Sequence, residues 1–116
     1  MSIERFDAGP RMSQAVAYGN LVYLAGQVAE TRHGQSVTEQ TREILAQIDA
    51  LLARAGTDKT KILSANIYLA DIATFGELNA VWEGWVVPGQ TPARATIEAK
   101  LAAPQYTVEI QVVAAK

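Results

Sequence analysis

Two stretches of this chain space their apolar residues by three and four positions, and the remaining apolar residues fall mostly in short runs of period two. That alternation of periods constrains the fold more than any single motif. A stripe at helical spacing and a face at strand spacing must each be buried against something. The first helical stretch opens at Ser36, with Glu39 at capping-box spacing, and carries Ile44, Leu45, Ile48, Leu51, Leu52 and Ala55. Gly56 follows as a left-handed stop. The second has a capping-box pair at Thr74 and Glu77, a stripe of Leu78, Val81, Trp82 and Trp85, and an end at Pro88-Gly89.

The period-two runs are Ile3 to Phe6, Gln14 to Tyr18, Leu21 to Val28, Ile62 to Ala70, Ala93 to Leu101 and Tyr106 to Val113. Gly19-Asn20 joins the second and third as a hairpin, and the polar stretch around Gly34 reads as a loop. In the fourth run Leu63, Ala65, Ile67 and Leu69 share one side. The order is β-β-β-α-β-α-β-β. Two amphipathic helices need a sheet face to cover, so the expected fold is a two-layer α+β domain with both helices on one side. A length of 116 residues suits a single domain spanning 1–116.

The last two runs are joined by Ala102-Ala103-Pro104-Gln105, a length that suits an antiparallel hairpin. Tight closure sets Leu101 opposite Tyr106, Ala99 opposite Val108, Ile97 opposite Ile110 and Ala95 opposite Val112, an apolar face for the helices. On the other face Lys100 meets Thr107, Glu98 meets Glu109, Thr96 meets Gln111 and Arg94 meets Val113. Two carboxylates directly opposite repel. That pairing calls for a cation between them, from Arg94, Lys100 or another subunit, or for one raised carboxyl pKa. Arg94, a planar guanidinium fixed on a strand, is a ready receptor for a carboxylate or phosphate.

Composition narrows the chemistry. The chain has no cysteine, which removes thiolate nucleophiles, disulfides and cysteine metal sites. Ten basic against 12 acidic residues give no electrostatic reason to seek nucleic acid. No apolar run approaches a membrane span and the N-terminus does not read as a signal peptide, so a cytoplasmic protein is expected. Asp49, Asp58 and Asp71 are scattered, so no metal is expected, and Asp71 suits the turn before the second helix. His33 lies in an expected exposed turn, Trp82 and Trp85 read as core or rim packing, and Tyr106 reads as structural.

Several stretches together resemble the Rid family of reactive-intermediate deaminases, also called YjgF-like. They are Gly9-Pro10-Arg11-Met12-Ser13-Gln14-Ala15-Val16, Leu21 through Gly26-Gln27, Glu39-Gln40-Thr41-Arg42, Leu78-Asn79-Ala80-Val81-Trp82, Pro92-Ala93-Arg94 with Glu98, and Val108-Glu109-Ile110. The resemblance implies a chorismate-mutase-like fold with a mixed sheet, a homotrimer whose sheets form a central barrel, and ligand clefts between subunits. It implies hydrolysis of 2-imino and 2-enamino acids of the 2-aminoacrylate type to 2-keto acids and ammonia, without metal or organic cofactor. By the same resemblance Arg94 binds the substrate carboxylate and Glu109 orients or deprotonates the attacking water. Gly26 brings a backbone amide to the ligand, and Asn79 lies near the cleft.

Three positions depart from the family pattern. Met12 replaces a usual aromatic, Ala25 a frequent Ser and Thr96 a frequent Cys; all three fall at the substrate-binding positions. They motivate an alternative, a non-catalytic trimeric protein that binds small carboxylates in the same cleft. A third possibility, RNA cleavage, finds no basic patch and no histidine pair to support it.

Overall fold

The computed structural model describes residues 1–116. Six strands and two helices follow in order: β1 (Ile3–Phe6), β2 (Ala15–Tyr18), β3 (Leu21–Leu24), α1 (Val37–Arg54), β4 (Ile62–Leu69), α2 (Phe75–Trp85), β5 (Ala93–Glu98) and β6 (Val108–Ala115). Short 3-10 turns at Lys59–Lys61 and Ile72–Thr74 precede β4 and α2. The strands form one mixed sheet in the order β1-β2-β3-β6-β4-β5. Both helices cover one face of it, as the periodicity required.

α1 starts where Ser36 accepts a hydrogen bond from the Glu39 amide at 3.2 Å. Only half of that capping box forms, because the Glu39 carboxylate turns to Arg32 and Arg42. Ile44, Leu45, Ile48, Leu51 and Leu52 are buried against the sheet, and Gly56 adopts a φ of 83° just beyond the helix. The second capping box does not form. Thr74 makes no side-chain cap, and the Glu77 carboxylate instead accepts from the Thr38 amide and hydroxyl at 2.9 and 2.8 Å, tying α2 to the start of α1. Asp71 organises the preceding turn by accepting from the Ala73 amide.

The expected hairpin between the last two strands is absent, and β4 lies between them. β5 runs parallel to β4, with Arg94 beside Ala65, Thr96 beside Ile67 and Ile97 beside Tyr68. β6 runs antiparallel to β4 on its other side, with Glu109 beside Tyr68 and Ile110 beside Ile67. The reason is connectivity: α2 carries the chain from the end of β4 back to its start, and a helical crossover delivers a parallel neighbour. The 99–107 loop then steps across the end of β4. The Ala99 amide donates to Leu69 on one side, and the Ala70 amide to Thr107 on the other.

This arrangement reverses the two faces of β5. Arg94 and Thr96 share the helix side with Ala65 and Ile67, while Ala95 and Ile97 turn to the open face, Ile97 with 52% of its surface exposed. A register shift between Ile62 and Ser64 also changes the phase of β4, so Ile62 is buried and Leu63 exposed. Glu98 and Glu109 are not opposite each other and lie on opposite faces. Glu98 accepts from the Ile72 amide at 3.0 Å, so no cation is required between the two glutamates.

Candidate functional site

Arg94 is held by flat aromatic contacts. Its guanidinium carbon lies 5.7 Å from the Phe75 ring centroid and 5.5 Å from that of Trp82, both on α2. Phe75, Asn79 and Trp82 follow one another at helical spacing, so half-buried Asn79 shares the α2 face that carries the cation. No carboxylate forms an ion pair with Arg94. Two residues along the same side of β5, the buried Thr96 hydroxyl has no hydrogen-bond partner. A half-buried guanidinium without an acidic partner has the forked donors to receive an anion.

Glu109 stands on the other face of the sheet. The chain leaves β3 after Leu24 and rejoins β6 through an isolated bridge, with Gln27 and Ile110 exchanging backbone hydrogen bonds at 2.8 and 3.1 Å. Between these points Gly26 passes directly over the Glu109 carboxylate. A Cβ at position 26 would lie 2.1 Å from Oε2, so a side chain here would push the Glu109 carboxylate from its place. Burial pushes the Glu109 carboxyl above its ordinary range. Glu109, Gly26, Tyr68, Lys100 and Gln111 line an open cleft of about 340 Å³.

Three glutamines hold the Gly26 loop. Gln27 Nε2 donates to Gln14 Oε1 and to the Ala25 carbonyl, each at 3.1 Å, while Gln47 Nε2 from α1 donates to Gln27 Oε1 at the same distance. The Ala25 amide donates to the Gln14 carbonyl, which fixes the residue before Gly26.

The residues singled out in the sequence therefore form two groups. Arg94, Thr96 and Asn79 gather between β5 and α2, whereas Gly26, Ala25 and Glu109 gather on the open side of β6. Met12 is exposed. Arg94 and Glu109 do not share a polar face, contrary to the hairpin register. The aromatic support from Phe75 and the place of Tyr68 beside Glu109 escaped sequence reasoning. Phe75 sits four residues before Asn79, a signal that could have joined them. His33 is in an exposed turn, and Trp85 donates to Asp49 at 3.0 Å, bridging the helices. No group of three or more His, Cys, Asp or Glu residues is placed to hold a metal ion, and no helix is long and apolar enough to cross a membrane.

Comparison with known proteins agrees with this architecture. The family model described as endoribonuclease L-PSP matches residues 2–116. A RutC family protein of Haemophilus influenzae is 46% identical over 98% of each chain, and the RutC family protein YoaB of Escherichia coli is 45% identical over 99% of each. Among solved structures, NMB1025 from Neisseria meningitidis, described as a member of the YjgF protein family, superposes with a TM-score of 0.96 at 46% identity, covering 100% of this chain and 96% of that one. A putative translation initiation inhibitor from Salmonella typhimurium superposes with a TM-score of 0.90 at 44% identity, covering 99% and 98%. With its six-stranded mixed sheet and two helices in the chorismate-mutase-like arrangement, this chain belongs to the YjgF/RutC/Rid family.

Proposed function

We propose that the protein hydrolyses reactive 2-imino and 2-enamino acids to 2-keto acids and ammonia, as a homotrimer whose sites lie between subunits. The observation that carries this reading is the Arg94 guanidinium, gripped by two aromatic rings and paired with no acid. Its forked donors suit a substrate carboxylate. Arg94 lies on an edge strand, on the opposite face from Glu109. In this reading a second copy brings its Gly26–Glu109 cleft to that edge and completes the site.

The chemistry needs few groups. The carboxylate docks on Arg94, and an enamine reaches its imine tautomer before hydrolysis. Water held by Glu109 adds its oxygen to the C=N carbon as the Glu109 carboxylate takes its proton and the nitrogen takes one from solvent. The resulting carbinolamine gives its hydroxyl proton to solvent, the C–N bond breaks, and the nitrogen leaves as ammonia with the proton returned from Glu109. Desolvation raises the basicity of Glu109 for the first transfer and readies it for the second. The scheme calls on no metal or organic cofactor. Asn79 and the Thr96 hydroxyl border the carboxylate end, while Met12 and Ala25 fall on the cleft side of the assembled site.

The test is to generate imines in situ with an amino-acid oxidase and follow their loss in competition with semicarbazide. Wild type should accelerate hydrolysis, and Arg94→Ala should lower kcat/KM by about 100-fold, as expected for losing a charge-assisted carboxylate contact. An Arg94→Ala variant as fast as wild type defeats the assignment. Keto-acid binding that requires Arg94, without turnover of any imine, would establish a ligand-binding protein instead. The ribonuclease description of the family model has no counterpart here in a basic surface, since the net charge is −2.

A further inference from the structure

The cleft around Glu109 holds more hydrogen-bond donors than imine hydrolysis requires. Tyr68 is the direct neighbour of Glu109 across β4 and β6, on the same face, and its hydroxyl bonds to nothing in the chain. Gln111 receives a 3.5 Å contact from Asn66 through its side-chain oxygen, which leaves its amide nitrogen free to donate. Lys100, at the rim, forms no ion pair. The Gly26 amide donates to no backbone or side-chain acceptor. Lys100 is not a counter-ion for Glu109 either: burial alone accounts for the shift of that carboxyl.

Tyr68, Gln111 and Lys100 thus line the cleft beside Glu109 with donors that have no acceptor in the chain, one of them cationic. A neutral alkyl side chain would strip water from these donors and return no hydrogen bond. An anionic group would engage them. With the substrate's α-carboxylate assigned to Arg94, the group that falls here is a second anion at the far end of the ligand.

We infer that Lys100 and Tyr68 form a receptor for a side-chain carboxylate, so that the preferred substrates are imines of dicarboxylic amino acids. This inference rests on the deaminase reading for the direction of the substrate. It does not depend on the rate of any step. Lys100 supplies the charge, and the Tyr68 hydroxyl supplies direction from the strand beside Glu109.

The experiment compares the imines of glutamate and norvaline, five-carbon chains that differ in the terminal carboxylate. Wild type should favour the glutamate imine in kcat/KM by 10-fold or more, and Lys100→Ala should reduce that ratio by about 10-fold. Tyr68→Phe should reduce it less, and Lys100→Glu should invert it. A wild-type ratio near one, or a ratio that survives Lys100→Ala, overturns the inference. If wild type hydrolyses no imine, these two included, the deaminase reading has failed and calorimetry decides this one separately. Tighter binding of 2-oxoglutarate than of 2-oxopentanoate, lost in Lys100→Ala, supports the receptor. Equal affinity for the two keto acids, or binding of neither, overturns it.

Discussion

Glu109 is strained electrostatically where it stands. Its carboxyl is half-buried under Gly26, no cation offsets the desolvation, and its pKa is raised. A raised folded-state pKa means that the folded chain favours the protonated form. Its stabilising contribution is fully present below the ordinary carboxylate range and is lost as pH rises through the raised value. Glu109→Gln should therefore give a higher Tm than wild type at neutral pH, with the advantage shrinking as the medium is acidified. Turnover should be lost at every pH. Thermal melts across that range check the sign; a variant less stable than wild type at neutral pH would contradict it.

Among the elements, the helices were the most legible in the sequence, and the partners of the last two strands the least. The spacing of Ile44, Ile48, Leu51 and Leu52, with Ser36 before and Gly56 after, is enough to bound α1 because helical hydrogen bonds are local. A period-two run states that a strand has two faces, not which strand lies beside it. For β5 and β6 the neighbour depended on α2 acting as a crossover. The side to which Arg94 points follows from the parallel register with β4, which sets it beside Ala65 and against the Phe75 and Trp82 rings. Gln40 has no role that its sequence neighbours reveal, yet it ties the start of α1 to the 99–107 loop. Its Nε2 donates to the Gln35 and Gln105 carbonyls at 3.2 and 2.9 Å, and its Oε1 accepts from the Thr107 amide at 2.9 Å. Removing this buried side chain leaves the Thr107 amide and the Gln35 carbonyl without their partner, while the Gln105 carbonyl keeps the Gly34 amide at 2.9 Å. Gln40→Ala should cost about 3 kcal/mol in denaturant unfolding, and amide exchange should quicken first around Thr107.

At the scale of the whole molecule, one sheet face is packed by helices and the other carries Tyr18, Tyr23 and Ile97 with half or nearly half of each side exposed. In the proposed trimer those residues meet neighbouring copies, and each site takes Arg94 from one chain and Glu109 from the next. Arg94→Ala and Glu109→Gln would then be inactive separately but complementary together. Unfolding the two in equal amounts and refolding them as a mixture should restore about one quarter of wild-type specific activity, because half of the chains supply each intact group at random. A mixture as inactive as its components would place both groups of each site on one chain.

The placement of Arg94 and Glu109 on opposite sides of a single sheet also bears on dosage. If each site is shared between copies as proposed, a freshly released polypeptide folds, packs its core and stays chemically silent until it meets its equals. Output would then climb more steeply than the number of chains made, and scarcity alone would switch the reaction off.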